Sequence, residues 1–259
     1  MDLKLNLALG DSYASMTQKT RVISEAWAEK NIFCCSCGGS LTKSENNTRV
    51  LDFTCLECHG EYELKSTRGS FSKKIPDGAF NAMMTRLSDV SSPDFFFLTY
   101  DIKSLCVTNF FAVPTYFLDE SVIEKREPLS SQARRAGWVG CNIVMNHIPE
   151  IGKVFYIRNS EILSKSVVLE TWKRNAFLRR KASIEARGWT LAILRNIESL
   201  NSREFTLQNM YAFEVLLKKQ FPQNHFIREK IRQQLQVIRD AGLIKFIGRG
   251  RYEAHFFQR

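Results

Sequence analysis

Four of the seven cysteines stand as two close pairs, Cys34-x2-Cys37 and Cys55-x2-Cys58, with 17 residues between them, and no other feature limits the fold so tightly. A two-residue gap lets both sulfurs of a pair turn toward one centre, and two such pairs complete the tetrahedron that Zn²⁺ prefers. The spacing predicts a structural zinc site that folds residues 34–58 back on themselves. His59, beside the second pair, is the main rival to a cysteine ligand. A disulfide framework is the other use of close cysteines, but 259 residues with 44% hydrophobic content can build a core without one. The opening Met1-Asp2-Leu3-Lys4 also lacks the basic-then-apolar pattern of a secretory signal. Cys35 is expected to point away from the ligands, and Cys106 and Cys141 read as core residues. No apolar run approaches the ~20 residues of a membrane span, so a cytoplasmic chain without membrane contact is expected.

Around the cysteines the pattern mixes helices and strands. Val22, Ile23, Ala26 and Trp27 recur at helical spacing within 16–31, and a further helix is expected over 77–87. Residues 48–54, 61–66, 94–100, 107–113 and 153–157 are short runs of extended or aromatic character that read as strands. Residues 119–135 read as a long surface loop. Helices flanking a sheet make residues 1–182 an α/β domain.

Beyond it the text changes. Trp189, Ile193, Ile197 and Leu200 share a helical face, Thr206 can cap a second helix reaching to about Gln220, and Ile227, Ile231, Leu235 and Ile238 stripe a third. Two short extended runs follow around Gly248-Arg249-Gly250. Three small helices and a hairpin predict a winged helix over 183–259. Charge separates in the same way: through Trp172 the chain holds 19 basic and 20 acidic residues, and from Lys173 onward 18 and 7. A basic region of that kind favours a polyanion, because each neutralised phosphate releases counterions.

The second cysteine pair sits at the tip of an expected hairpin. If the turn is centred between Glu57 and Cys58, Asp52 lies opposite Glu63, and strand alternation puts Lys65 on the same face. Like charges facing each other call for a cation, and Mg²⁺ suits one or two carboxylates with water and phosphate oxygens. The chemistry expected of such a patch is phosphodiester hydrolysis, with Lys65 adding charge near the attacking water.

Asp52, ten intervening residues and Glu63-Leu64-Lys65 resemble the D…ExK signature of the restriction-enzyme-like nuclease superfamily. More specifically, the chain resembles the methyladenine-dependent type IIM restriction endonucleases of the DpnI type. The likeness runs through Gln18-Lys19, the cysteines around Asp52, Phe95-Phe96-Phe97-Leu98-Thr99-Tyr100, Ala133-Arg134-Arg135-Ala136-Gly137-Trp138 and the segment from Glu229 to Val237. Leu51 stands where many superfamily members have proline, which is not a ligand. The resemblance implies a restriction-endonuclease-like core with an embedded zinc site, followed by a winged helix that also reads the modified site. It implies cleavage of double-stranded DNA at GATC when the adenine carries an N6 methyl group. It further implies Mg²⁺ at Asp52 and Glu63, Lys65 beside the nucleophilic water, and Zn²⁺ on Cys34, Cys37, Cys55 and Cys58.

The N6 methyl is a small apolar knob in the major groove, so its reader needs an apolar or aromatic wall and an acceptor. With the isoleucine and leucine stripe of the third helix buried, helical geometry turns Arg232, Gln233 and Gln236 outward, with Arg228 on the flank. Arg249 at the wing tip suits a phosphate or the minor groove. Trp138, following Arg134 and Arg135, suits a base contact. The expected partner is methylated duplex DNA, bound by a monomer. The competing reading is a non-cleaving zinc and winged-helix DNA reader or transcription regulator, which explains the cysteines and basic tail but leaves the acidic pair without a task.

Overall fold

The computed structural model describes residues 1–44, 51–71, 73–89, 92–179 and 183–256. In chain order the first part contains α1 (Met16–Asn31), β1 (Leu41–Lys43), β2 (Phe53–Cys55), β3 (Glu61–Arg68), β4 (Lys74–Ala79), α2 (Phe80–Ser88), β5 (Asp94–Tyr100), β6 (Val107–Val113), β7 (Ile123–Lys125), β8 (Gly140–Val144), β9 (Val154–Arg158), β10 (Glu161–Ile162) and α3 (Lys165–Asn175). A mixed sheet, ordered β1-β2-β3-β5-β6-β9-β10, forms its centre, and a second sheet is ordered β4-β8-β7. The expected α/β class is thus observed.

Alternation along β5 explains how the large sheet is covered. Phe96 and Leu98 face a core with Ile23, Trp27 and Ala28 of α1 and Val168 and Trp172 of α3. Phe95 and Phe97 face the opposite core, with Met83 and Leu87 of α2 and Ile143 of β8. All four β5 side chains are fully buried, as an aromatic run with no polar face requires. β3 and β5 run parallel, pairing Glu63 with Phe95 and Lys65 with Phe97. A parallel pair needs a crossover, and here β4 and α2 supply it. The crossover therefore lies over the face that carries Glu63 and Lys65.

Several boundaries differ from the sequence reading. Lys74–Ala79 forms β4, and the helix begins only at Phe80, because residues 74–79 find a partner in β8 that local pattern cannot reveal. The stretch 119–135 is not wholly a surface loop: Asp119, Val122 and Ile123 are buried and β7 pairs with β8. Only the connection after β7, reaching to β8, remains outside regular elements. On α1 the buried apolar positions are Ile23, Trp27 and Ala28, whereas Val22 and Ala26 are half-buried. Of the strand expected over 48–54, residues 48–50 lie outside the described residues, and β2 begins at Phe53. Arg180 and Lys181, just before the expected boundary between the two domains, lie outside them too.

The second part contains α4 (Ile184–Ser199), β11 (Glu204–Thr206), α5 (Leu207–Tyr211), α6 (Glu214–Gln220), α7 (Ile227–Asp240), β12 (Ile244–Gly248) and β13 (Arg251–Ala254). Its sheet, β11-β13-β12, completes a winged helix. Thr206 caps α5 through a reciprocal box with Asn209. The expected second helix is broken at Ala212 and Phe213 into α5 and α6. On α4 the burial extends beyond the expected face to Leu191, Ala192 and Leu194, because this helix is packed from both sides. Its apolar residues join one cluster with Leu87 and Phe117 of the first part. Arg187 donates to the carbonyl of Leu87 at 2.8 Å, and Arg195 pairs with Asp119 at 2.8 Å. Among the described residues, no helix is long and apolar enough to cross a membrane.

Candidate active site

The four cysteines close into one centre. Their sulfurs all lie within 4.8 Å of one another, with Cys34–Cys58 and Cys37–Cys55 each at 3.5 Å. Zn–S bonds of ~2.3 Å arranged tetrahedrally put sulfurs ~3.8 Å apart, so the set fits a zinc ion. Each pair is built by the same local fold. The amide of Cys34 donates to Gly39 and that of Cys55 to Gly60, both at 2.8 Å. The residues following each pair, Gly38 and His59, take positive φ of 84° and 57° to complete the turn. His59 is spent on that backbone task and is not part of the cluster. Cys35 is not part of the cluster, but its sulfur shares the Tyr62 hydroxyl with that of Cys34, at 3.6 and 3.0 Å.

This cluster grips the end of the β2–β3 hairpin. Phe53 pairs with Tyr62 and Thr54 with Glu61, the register that puts Asp52 opposite Glu63. Asp52 itself lies just ahead of β2. Its N–H donates to the carbonyl of Tyr62 at 3.0 Å, and its Oδ2 accepts the Leu64 N–H at 2.7 Å. The carboxylate thus takes a place in the strand ladder, which fixes it beside Glu63 rather than leaving it to solvent. Asp52, Glu63 and Lys65 line a single cleft of 610 Å³, together with Thr20 and Arg21 of α1 and Lys74 of β4.

Every acid in this cleft has a cation. Glu63 binds Lys65 through Oε1 and Arg86 through Oε2. Arg86 also donates to the carbonyl of Pro93 at 2.8 Å and lies 4.2 Å from the ring centre of Phe95. Lys65 forms a second ion pair with Asp77. Asp52 pairs with Arg21 at 3.2 Å, and Arg21 in turn binds Glu25, which also meets Lys43 at 2.6 Å. Burial pushes the Asp52 carboxyl upward against the Leu64 hydrogen bond, with Glu25 and Glu63 adding to the rise and Arg21 opposing it. Desolvation disfavours the Lys65 ammonium, but Glu63 and Asp77 outweigh it and raise its pKa. The arrangement is a shielded row of negative charge with cations at its edges, suited to holding a divalent ion against a phosphate.

Arg21, Glu25, Asp77 and Arg86 were not among the sequence candidates. Glu25 carried a usable signal, a carboxylate between the apolar positions of α1. Asp77 and Arg86 carried none, because they reach Glu63 and Lys65 only through the crossover.

The residues expected to meet DNA lie on two surfaces. Arg134 and Arg135 are exposed in the β7–β8 connection, and the Arg135 guanidinium stacks 4.6 Å from the Trp138 ring centre. Trp138 is half-buried, and a Cβ at Gly140 would meet its ring at 2.8 Å, so that glycine makes room for it. On α7, Arg228, Arg232, Gln233 and Gln236 all face outward while Ile227, Ile231, Leu235 and Ile238 are buried. Gln234 points inward and accepts the Thr190 hydroxyl hydrogen bond at 2.6 Å. Arg228 pairs with Glu214 at 2.7 Å, and Arg232 pairs with Glu229 and donates to the Tyr211 hydroxyl at 2.9 Å. Arg249 is exposed at the wing tip.

A family model described as DpnI, Dam-replacing family, matches residues 1–181. A second, described as Dam-replacing HTH domain, matches residues 185–254.

Proposed function

The chain belongs to the DpnI, or Dam-replacing, family, and from that premise we propose that it is a methyl-directed type II restriction endonuclease cutting double-stranded DNA at GATC sites that carry N6-methyladenine. Residues 1–182 form the cutting domain in this reading and 183–259 the winged-helix reader. The observation that carries it is the convergence of Asp52, Glu63 and Lys65 on one cleft whose hairpin is gripped by the cysteine cluster.

Asp52 and Glu63 would hold Mg²⁺, which when bound supplies an activated water and neutralises charge on the scissile phosphate. The chain's own groups do the rest. Lys65 keeps positive charge beside the position of attack and balances Glu63 in the absence of DNA. Arg21, 64% exposed, stands at the lip, where a phosphate can take it from Asp52. The Leu64 N–H holds Asp52 in line throughout. Arg134, Arg135 and Trp138 approach the duplex from the β7–β8 connection. Arg228, Arg232, Gln233 and Gln236 enter the major groove on α7, and Arg249 meets the backbone beside it. Glutamine offers an acceptor for the N–H that a methylated adenine retains. The protein is proposed to act as a monomer in the cytoplasm.

The test is incubation with Mg²⁺ and plasmid from hosts with and without adenine methylation. Cutting of the methylated plasmid alone is expected. Cutting of both would remove the methyl dependence, and cutting of neither would leave a reader without nuclease activity.

A further inference from the structure

We infer that Asp77 is a positioning residue that takes over Lys65 when Glu63 turns to the metal, an inference that rests on the proposed Mg²⁺ site at Asp52 and Glu63. In the structure each Glu63 oxygen already carries a cation, Lys65 on Oε1 and Arg86 on Oε2. A divalent ion at Glu63 would sit beside both, and their mutual repulsion favours the withdrawal of one of them. Arg86 is poorly placed to leave, since it is tied to the Pro93 carbonyl and packed over Phe95. Lys65 is better placed, because its ammonium already touches a second carboxylate.

That second carboxylate is built for the task. Asp77 is 7% exposed, so its charge faces the protein rather than water, and the pair it makes is correspondingly strong. Its other oxygen, Oδ2, is buried and has no hydrogen-bond partner among the described residues. A buried acceptor left open is costly and marks a place where a donor is due. The ammonium of Lys65, with three hydrogens and a mobile stem, can close on both Asp77 oxygens once Glu63 is withdrawn. Without Asp77, the same withdrawal would strand a largely buried cation and resist metal binding. Asp77 arrives from β4, where its pairing with Cys141 of β8 holds the backbone in place, so the relay spans both sheets.

The experiment measures Mn²⁺ binding by the loss of the free-ion electron paramagnetic resonance signal, with full-length protein on methylated duplex DNA. Asp77→Asn, nearly isosteric, is expected to weaken Mn²⁺ binding by roughly tenfold or more while zinc content and metal-free DNA binding stay as in the parent. Asp77→Glu is expected to recover most of the affinity. In a Lys65→Met background, where no ammonium needs a new partner, Asp77→Asn is expected to change Mn²⁺ affinity by less than about twofold. Unchanged binding in the single variant overturns the inference, as does an undiminished effect in the Lys65→Met background, which would make Asp77 a direct influence on the metal. The metal reading itself fails separately, if Asp52→Ala and Glu63→Gln bind Mn²⁺ as the parent does.

Discussion

The β2–β3 hairpin and the α7 face both carry paired charges, yet the pairs are of opposite kinds. Glu63 and Lys65 have side chains 10% and 17% exposed, and each meets two partners. Arg228 and Arg232 are 56% and 50% exposed, and their partners Glu214 and Glu229 are likewise open to water. Exposed pairs are worth at most ~1 kcal/mol, so phosphates can replace them at little cost. The buried set can exchange partners only within itself. One region is therefore fixed in geometry before DNA arrives, and the other remains available for recognition.

The sharpest break in that comparison is Asp52→Ala. It removes a carboxylate that lies at the proposed reacting centre but away from α7, so cleavage is expected to fall by roughly three orders of magnitude or more. Binding to methylated DNA, measured by gel shift without Mg²⁺, is expected to remain nearly that of the parent. Full cutting by this variant would remove Asp52 from the site.

Cys55→Ser comes next and reaches the same hairpin through its support. Zinc is expected at about one equivalent per chain by elemental analysis, and the variant is expected to lose it together with several kcal/mol of stability. Cleavage should fall with it, because Cys55 ends the strand that begins one residue after Asp52. Retained zinc with three sulfurs would show that His59 or water can serve as the fourth ligand.

How much of this was legible in the sequence follows from how local each feature is. The cysteine spacing and the alternation across a short hairpin are local, and the register that faces Asp52 toward Glu63 is the one observed. The stripe on α7 is local too, and its buried and outward residues fall where 3.6-residue geometry puts them. Asp77 was placed in a helix because residues 77–87 carry a plausible helical pattern, while the pairing of β4 with β8 joins segments more than 60 residues apart. Arg86 reads as an ordinary polar position of α2 until the crossover lays it over Phe95. The described residues thus bring together the acidic pair and Lys65, which the hairpin pattern offered, with Asp77 and Arg86, which join them through tertiary contact alone.

On the open side, two substitutions sharpen the distinction between reading and gripping. Gln236→Ala is expected to cost about 1–3 kcal/mol of discrimination between methylated and unmethylated duplex if it meets a base edge. Arg249→Ala is expected to weaken both duplexes alike and reduce the salt slope of binding by about one. Equal losses on both duplexes for Gln236→Ala would move it to the backbone-contacting class.

The smallest effect is expected where the two regions meet. Glu198, near the end of α4, faces the backbone of Glu150 and Ile151, its Oε1 is buried without a hydrogen-bond partner among the described residues, and burial lifts its carboxyl from 4.5 to about 7. The neighbouring Glu150 adds to the rise, and Lys153 opposes it. A carboxyl harder to ionise in the folded chain binds its proton more tightly there than when unfolded, so its stabilising share is complete below pH ~4.5 and is lost as pH rises toward about 7. Glu198→Gln, which keeps the shape without the charge, is expected to flatten the fall in thermal stability across that window. It should raise stability at pH 8 by on the order of 1 kcal/mol, with no change near pH 4. A parent whose melting temperature shows the same slope as the glutamine variant would place Glu198 in water, and would mean that the contact between α4 and residues 150–152 opens in solution. That outcome would extend the water-exposed character of the α7 pairs to the junction itself and confine the fixed geometry to the hairpin.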